Sequence, residues 1–175
     1  MGIYLNPGSI EFQESINSEI YVDKTGLIER TNAALRTKQK YMCISRPRRF
    51  GKSMAADMLA AYYGKDSDSE KLFERLTISH SETFSTHLNK YNVFKVNMQE
   101  FLSMAQDVNE MLTLLQRRLL KELKLKYPEY VDSDNLIFAM QDIFSYTGQA
   151  FIILIDEWDC LLEEIIHKKR GKDYE

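Results

Sequence analysis

Apolar residues recur along this chain with two periods. From 107 to 127, Met111, Leu112, Leu115, Leu119, Leu120 and Leu123 return every three or four residues, the period of an amphipathic helix, and Pro128 ends it. A second helix is expected over 51–63, where Met54, Ala55, Met58, Leu59 and Tyr62 share a face. Others suit 24–37, capped by Asp23, then 133–146, closed by Gly148, and 160–169. Two short helices fit 70–76 and 81–89. Continuous apolar runs mark strands instead: 41–45, bounded by charge on both sides, 93–98, and 151–155, the most apolar run in the chain. Residues 1–21 read as mixed and turn-like around Asn6-Pro7-Gly8. Strands alternating with helices predict an α/β fold with a mostly parallel sheet covered by helices.

Composition narrows the class. With 175 residues, 44% of them hydrophobic, the chain has the length of a single domain spanning 1–175 with a substantial core. Seven Gly and three Pro exclude collagen-like, linker-like or disordered readings. A net charge of −3 argues against a protein that coats nucleic acid and leaves room for a local basic patch. The basic tail 168–172 reads better as a solvated helix end than as a nucleic-acid contact. Cys43 and Cys160 lie far apart, in or beside apolar runs. With no secretory leader and no long apolar stretch, the expectation is a reduced cytoplasmic protein without a membrane segment. His80, His87 and His167 lack metal-site spacing, and no nucleophile elbow occurs.

Chemistry first appears at Arg46-Pro47-Arg48-Arg49-Phe50-Gly51-Lys52-Ser53. Against the phosphate-loop pattern G-x-x-x-x-G-K-[ST] it keeps Gly51, Lys52 and Ser53 and has Arg46 at the first glycine position. Between an expected strand and an expected helix, Arg48 to Ser53 would offer backbone N–H groups to ATP phosphates. Gly51 admits the close approach of the phosphate chain, Lys52 would neutralise the β and γ phosphates, and the Ser53 hydroxyl would bind Mg²⁺. Alone, Gly-Lys-Ser reads better as a helix cap with a surface lysine, and the expected strand before and helix after make the two readings even. Arg48 and Arg49 could add charge near the γ phosphate or at a subunit contact, although such a pair is more often solvated.

The second signal lies about a hundred residues on, where the run 151–155 ends in Asp156-Glu157. Phosphoryl transfer with Mg²⁺ requires an acid at the carboxyl end of a strand neighbouring the loop strand. Asp156 suits the metal through its water shell, and Glu157 suits a general base that polarises the attacking water. Gln99, after the strand 93–98, sits where ligands gather in open α/β sheets and could sense the γ phosphate.

These segments, with Tyr21-Val22-Asp23-Lys24-Thr25-Gly26-Leu27-Ile28 and Lys95-Val96-Asn97-Met98-Gln99, resemble the AAA-ATPase-like family of microbial proteins. The resemblance implies a three-layer α/β/α P-loop ATPase of the additional-strand type, often followed by a restriction-nuclease-like domain. It implies that Arg46 is the family's own variant of the loop and that Asp23 to Thr25 flank the nucleotide base. It also implies a further strand between the loop strand and the Asp156 strand, coming later in sequence. The sheet of strands 41–45, 93–98 and 151–156 is therefore expected to be incomplete, with a gap between the first and third. Direct pairing, a homo-oligomer or second chain, or truncation would account for the gap, and truncation is the favoured reading. ATP binding is then expected to outlast efficient hydrolysis. The rival readings are a nucleotide-dependent protein-interaction module without catalysis and the ATPase part of a nucleic-acid-processing protein.

Overall fold

Helices outnumber strands in the computed structural model, which describes residues 2–45, 51–162 and 164. In chain order the elements are α1 (Ile10–Ile16), α2 (Gly26–Ala34), α3 (Lys52–Tyr63), α4 (Glu70–Phe73), a 3₁₀ turn (Thr77–His80) and α5 (Phe84–His87). There follow β1 (Asn92–Asn97), α6 (Met98–Ser103), α7 (Val108–Lys126), α8 (Leu136–Thr147) and β2 (Phe151–Asp156). β1 and β2 pair as a two-stranded parallel sheet, so the chain is α/β. The chain divides into two compact units: residues up to Phe94 with Ala150–Leu154, and Lys95–Gln149 with the residues from Ile155 onward.

In the first unit the second half of α3 is the centre of the core. Met58 through Tyr63 are all buried, among Phe12 of α1, Ile28 of α2, Phe73 and Val93. Two adjacent tyrosines are tolerated there because their hydroxyls are satisfied. Tyr62 donates to the Phe84 carbonyl at 2.7 Å and accepts from the Asn32 amide at 3.1 Å. Tyr63 donates to Asn32 Oδ1 at 2.7 Å and lies 2.6 Å from Thr31 Oγ1. The helix stops at Gly64, where an added Cβ would lie 2.8 Å from the Ala60 carbonyl oxygen. That small residue lets the chain turn and bridge to Tyr91, just ahead of β1.

The second unit packs α7 against α6 and α8. Met111, Leu119, Leu120 and Leu123 form the buried stripe of α7, with Phe101 of α6 and Ala139 and Ile143 of α8 also buried. Asp107 caps α7 by accepting from the Glu110 amide, and Asn135 caps α8 by accepting from those of Ile137 and Phe138. The α7 stripe matches the expected face except for Leu112, which is 40% exposed, and Leu115, which is half-buried.

Several expectations are corrected. The apolar run 41–45 forms no strand and is exposed, Tyr41 to 85%, and Cys43 is exposed with it. An extended segment needs a ladder to satisfy its backbone, and the pairings present lie elsewhere: β1 with β2, Leu5 with Phe94, Gly64 with Tyr91. The segment expected as turn-like at 1–21 contains α1, whose Phe12 is buried and whose Ile16 packs on the core one turn later. α6 was hidden behind strand-like Met98, since Asn97 ends β1 and caps α6 by accepting from the Gln99 and Glu100 amides. The helix expected at 160–169 begins at Cys160, and 163 and 165–169 lie outside the described residues.

Candidate functional site

The first candidate is the N-terminal turn of α3. Gly51 caps it in the left-handed region, φ 76° and ψ 37°, where any residue with a Cβ is strained. Lys52, half-buried, and Ser53, exposed, open the helix, and no side chain caps it among the described residues. The first N–H groups of a helix have no intrahelical partner, and the macrodipole adds partial positive charge there. The same turn is therefore suited to a phosphate group. Arg46, Arg48, Arg49 and Phe50 lie outside the described residues.

Lys24 reaches this turn from the segment before α2. A Cβ built on Gly51 would lie 2.7 Å from Lys24 Nζ, so the glycine also makes room for that ammonium. A cation at the positive end of a helix is opposed by the macrodipole, by about 0.3–1 kcal/mol at an exposed site. The backbone around Lys24 is held by Asp23. Its carboxylate accepts from the Thr25 amide and hydroxyl at 2.8 and 2.7 Å, and from the Thr77 amide and hydroxyl, both at 2.7 Å. Thr25 is buried, and its hydroxyl oxygen accepts from the Ile78 amide. Burial alone would raise the Asp23 pKa, but the four hydrogen bonds from Thr77 and Thr25 outweigh it and hold the group below its ordinary value. The neighbouring Tyr21 phenol moves the other way, up to about 12, through burial and the Asp23 charge. Asp23 thus ties the start of α2 to the 3₁₀ turn, and Thr25 stands at the cap position expected of Asp23.

Asp156 and Glu157 form the second candidate, in the other unit. Asp156 is the last residue of β2 and only 8% exposed; its Oδ1 accepts from the Glu157 amide at 3.0 Å. A buried carboxylate at a strand end is costly without compensating charge, which suits a cation ligand. Glu157 has φ 52°, in the left-handed region. Among the described residues three others besides glycine share that region. Asn6 and Asn89 belong to a type that tolerates it and are held by side-chain bonds to the Val93 amide and the Gly64 carbonyl, and Arg36 follows the end of α2. Glu157 has neither excuse, and strain of this kind gathers at functional positions.

Gln99 is exposed on α6, its amide engaged by the Asn97 cap. His80 is exposed; His87 is half-buried, its Nδ1 2.7 Å from the Tyr91 hydroxyl. Among the described residues no group of three His, Cys, Asp or Glu could hold a metal by itself, and no helix is long and apolar enough to cross a membrane. Mg²⁺ fits the two local settings nonetheless, since it is commonly held by one or two protein oxygens together with substrate phosphates. Sequence reasoning missed Lys24 beside Gly51 and the Asp23–Thr77 tie. The Asp-x-Thr spacing at 23–25 could have signalled a local turn, and the resemblance set 23–25 beside the nucleotide, but nothing in the sequence pointed to residue 77. No curated protein and no solved structure matches the chain. A family described as "Predicted AAA-ATPase" matches residues 8–175, and the chain belongs to this AAA-ATPase-like family.

Proposed function

We propose that this chain is a P-loop domain that binds ATP with Mg²⁺ and has the residues for its hydrolysis. The observation that carries the reading is the left-handed Gly51 opening α3 directly ahead of Lys52 and Ser53, with no capping side chain among the described residues. Family membership supports nucleotide use at the same coarse level. In this reading Lys52 would balance the charge of the β and γ phosphates, the Ser53 hydroxyl would bind Mg²⁺, and the Asp156 carboxylate, in the other unit, is by its own chemistry a Mg²⁺ ligand. Bound Mg²⁺ would supply charge neutralisation on the phosphates. Glu157 takes the proton of the attacking water as general base.

The experiment is a titration of the purified chain with ATP in the presence of Mg²⁺, beside a phosphate-release assay. Lys52→Ala should abolish binding, and Glu157→Gln should bind ATP like the parent and release no phosphate. Unchanged ATP affinity in Lys52→Ala would remove the site assignment. Binding without phosphate release in the parent would leave a nucleotide-dependent interaction module as the better reading.

A further inference from the structure

A net charge of −3 leaves room for a local basic patch, and the second half of α7 carries one: residues 117–126 hold five cations and one acid. The helix itself accounts for two of the cations. Lys124 and Lys126 occupy its last turn, where the macrodipole favours positive charge, and Lys124 also donates to Asp134 at 2.6 Å. Arg117, Arg118 and Lys121 lie further back, where that effect has faded. All three are exposed, and among the described residues none has a hydrogen bond or ion pair. Arg117 and Arg118 stand four and three residues before Lys121, spacings at which like charges repel on a helix. Glu122, the one acid of the stretch, is half-buried and pairs with none of the three. Glu110, two turns before Arg117, turns its carboxylate to the Gln106 amide at 2.7 Å.

We propose that this face of α7 binds the phosphate backbone of a nucleic acid, weakly and without regard to base sequence, and independently of the α3 turn. Guanidinium forks match phosphate oxygens. One turn of helix sets Arg117 and Lys121 about 6 Å apart along the axis, so the three cations together reach neighbouring phosphates of a strand. A membrane surface is the poorer partner. A helix lying in the interface inserts apolar residues beside its charges, but Met111, Leu119, Leu120 and Leu123 are buried, leaving Leu125 beside the cations, 73% exposed.

Fluorescence anisotropy of a labelled mixed-sequence DNA duplex with the full chain, over a range of salt, tests the surface. The logarithm of the affinity should fall against that of the salt concentration with a slope of about −2 to −3, since each phosphate contact contributes about −0.9. Arg117→Gln, Arg118→Gln and Lys121→Gln should each shrink the slope by about one and together abolish binding, while Arg117→Lys with Arg118→Lys should keep the slope. Because the three side chains are exposed and unbonded among the described residues, these variants should melt with the parent. Lys71→Gln, Arg75→Gln and Lys90→Gln, made together at exposed positions of the first unit, change the net charge equally and should leave binding as it is. An equal loss in that second set would reduce the effect to net charge and overturn the proposal. So would undiminished binding in the α7 triple variant, or a parent that fails to bind the duplex at low salt. Tighter binding to vesicles of phosphatidylcholine and phosphatidylserine, or to polyglutamate, than to the duplex would overturn it in favour of a membrane or an acidic protein.

Discussion

The left-handed conformation of Glu157 makes a prediction about stability that is independent of any assay of turnover. A residue with a Cβ in the left-handed region carries a penalty of about 1–2 kcal/mol, because the Cβ crowds the following carbonyl. Glycine escapes that penalty but loses more conformational freedom on folding, by about 0.5–1 kcal/mol relative to alanine. At φ 52° the first effect exceeds the second. Glu157→Gly should therefore be more stable than Glu157→Ala by about 0.5–1 kcal/mol, the reverse of the order at an ordinary helix or strand position. Comparing the two variants with each other removes the contribution of the carboxylate, which both lack. For a chain of this size each kcal/mol is worth about 2–4 °C, so the glycine variant should melt about 1–4 °C above the alanine variant. Thermal melting by circular dichroism and urea titration would both resolve the difference. Both variants should lose phosphate release under the proposed role, so that the stabler one is inactive. An alanine variant as stable as the glycine variant would refute the strain, and with it the argument that function holds Glu157 in this conformation.

Two further perturbations test what holds the first unit. Tyr63→Phe keeps the ring but removes the donor to Asn32 Oδ1 in the buried interior, at a cost of about 1–3 kcal/mol; a melting temperature within a degree of the parent would show that the Tyr63–Asn32 bond contributes nothing. Asp23 has a depressed pKa when folded, so its contribution is complete above the unfolded pKa, about 4, and is lost as pH falls through the folded one. The stability gap between the parent and Asp23→Ala should accordingly be constant near neutral pH and shrink below about pH 4, and a gap that stays the same in acid would contradict the four-bond arrangement.

The long elements were legible because their patterns repeat. α7 extends over Val108–Lys126 where six apolar residues keep helical spacing. β2 was legible from its apolar run. The misses have one physical cause: short segments take their conformation from what they pack against. α1 offers only Phe12 and Ile16 to the core, too little periodicity to outweigh the turn signal at Asn6-Pro7-Gly8. The run 41–45 has strand composition, but composition supplies side chains for a sheet face and no neighbouring backbone. Pairing is the part of a strand that lies in other residues.

The same distinction separates what was readable of the candidate site from what was not. Gly51, Lys52 and Ser53 are consecutive, so a sequence motif can hold them together, and the φ of 76° at Gly51 is one that glycine adopts without strain. The glycine demanded by geometry is thus the one the chain retains. Lys24 is twenty-seven residues earlier, and its approach to Gly51 depends on Asp23 binding Thr77, fifty-four residues away. No spacing rule connects 24, 51 and 77. A motif can specify a helix-opening turn, whereas the lysine beside it is brought there only by the fold.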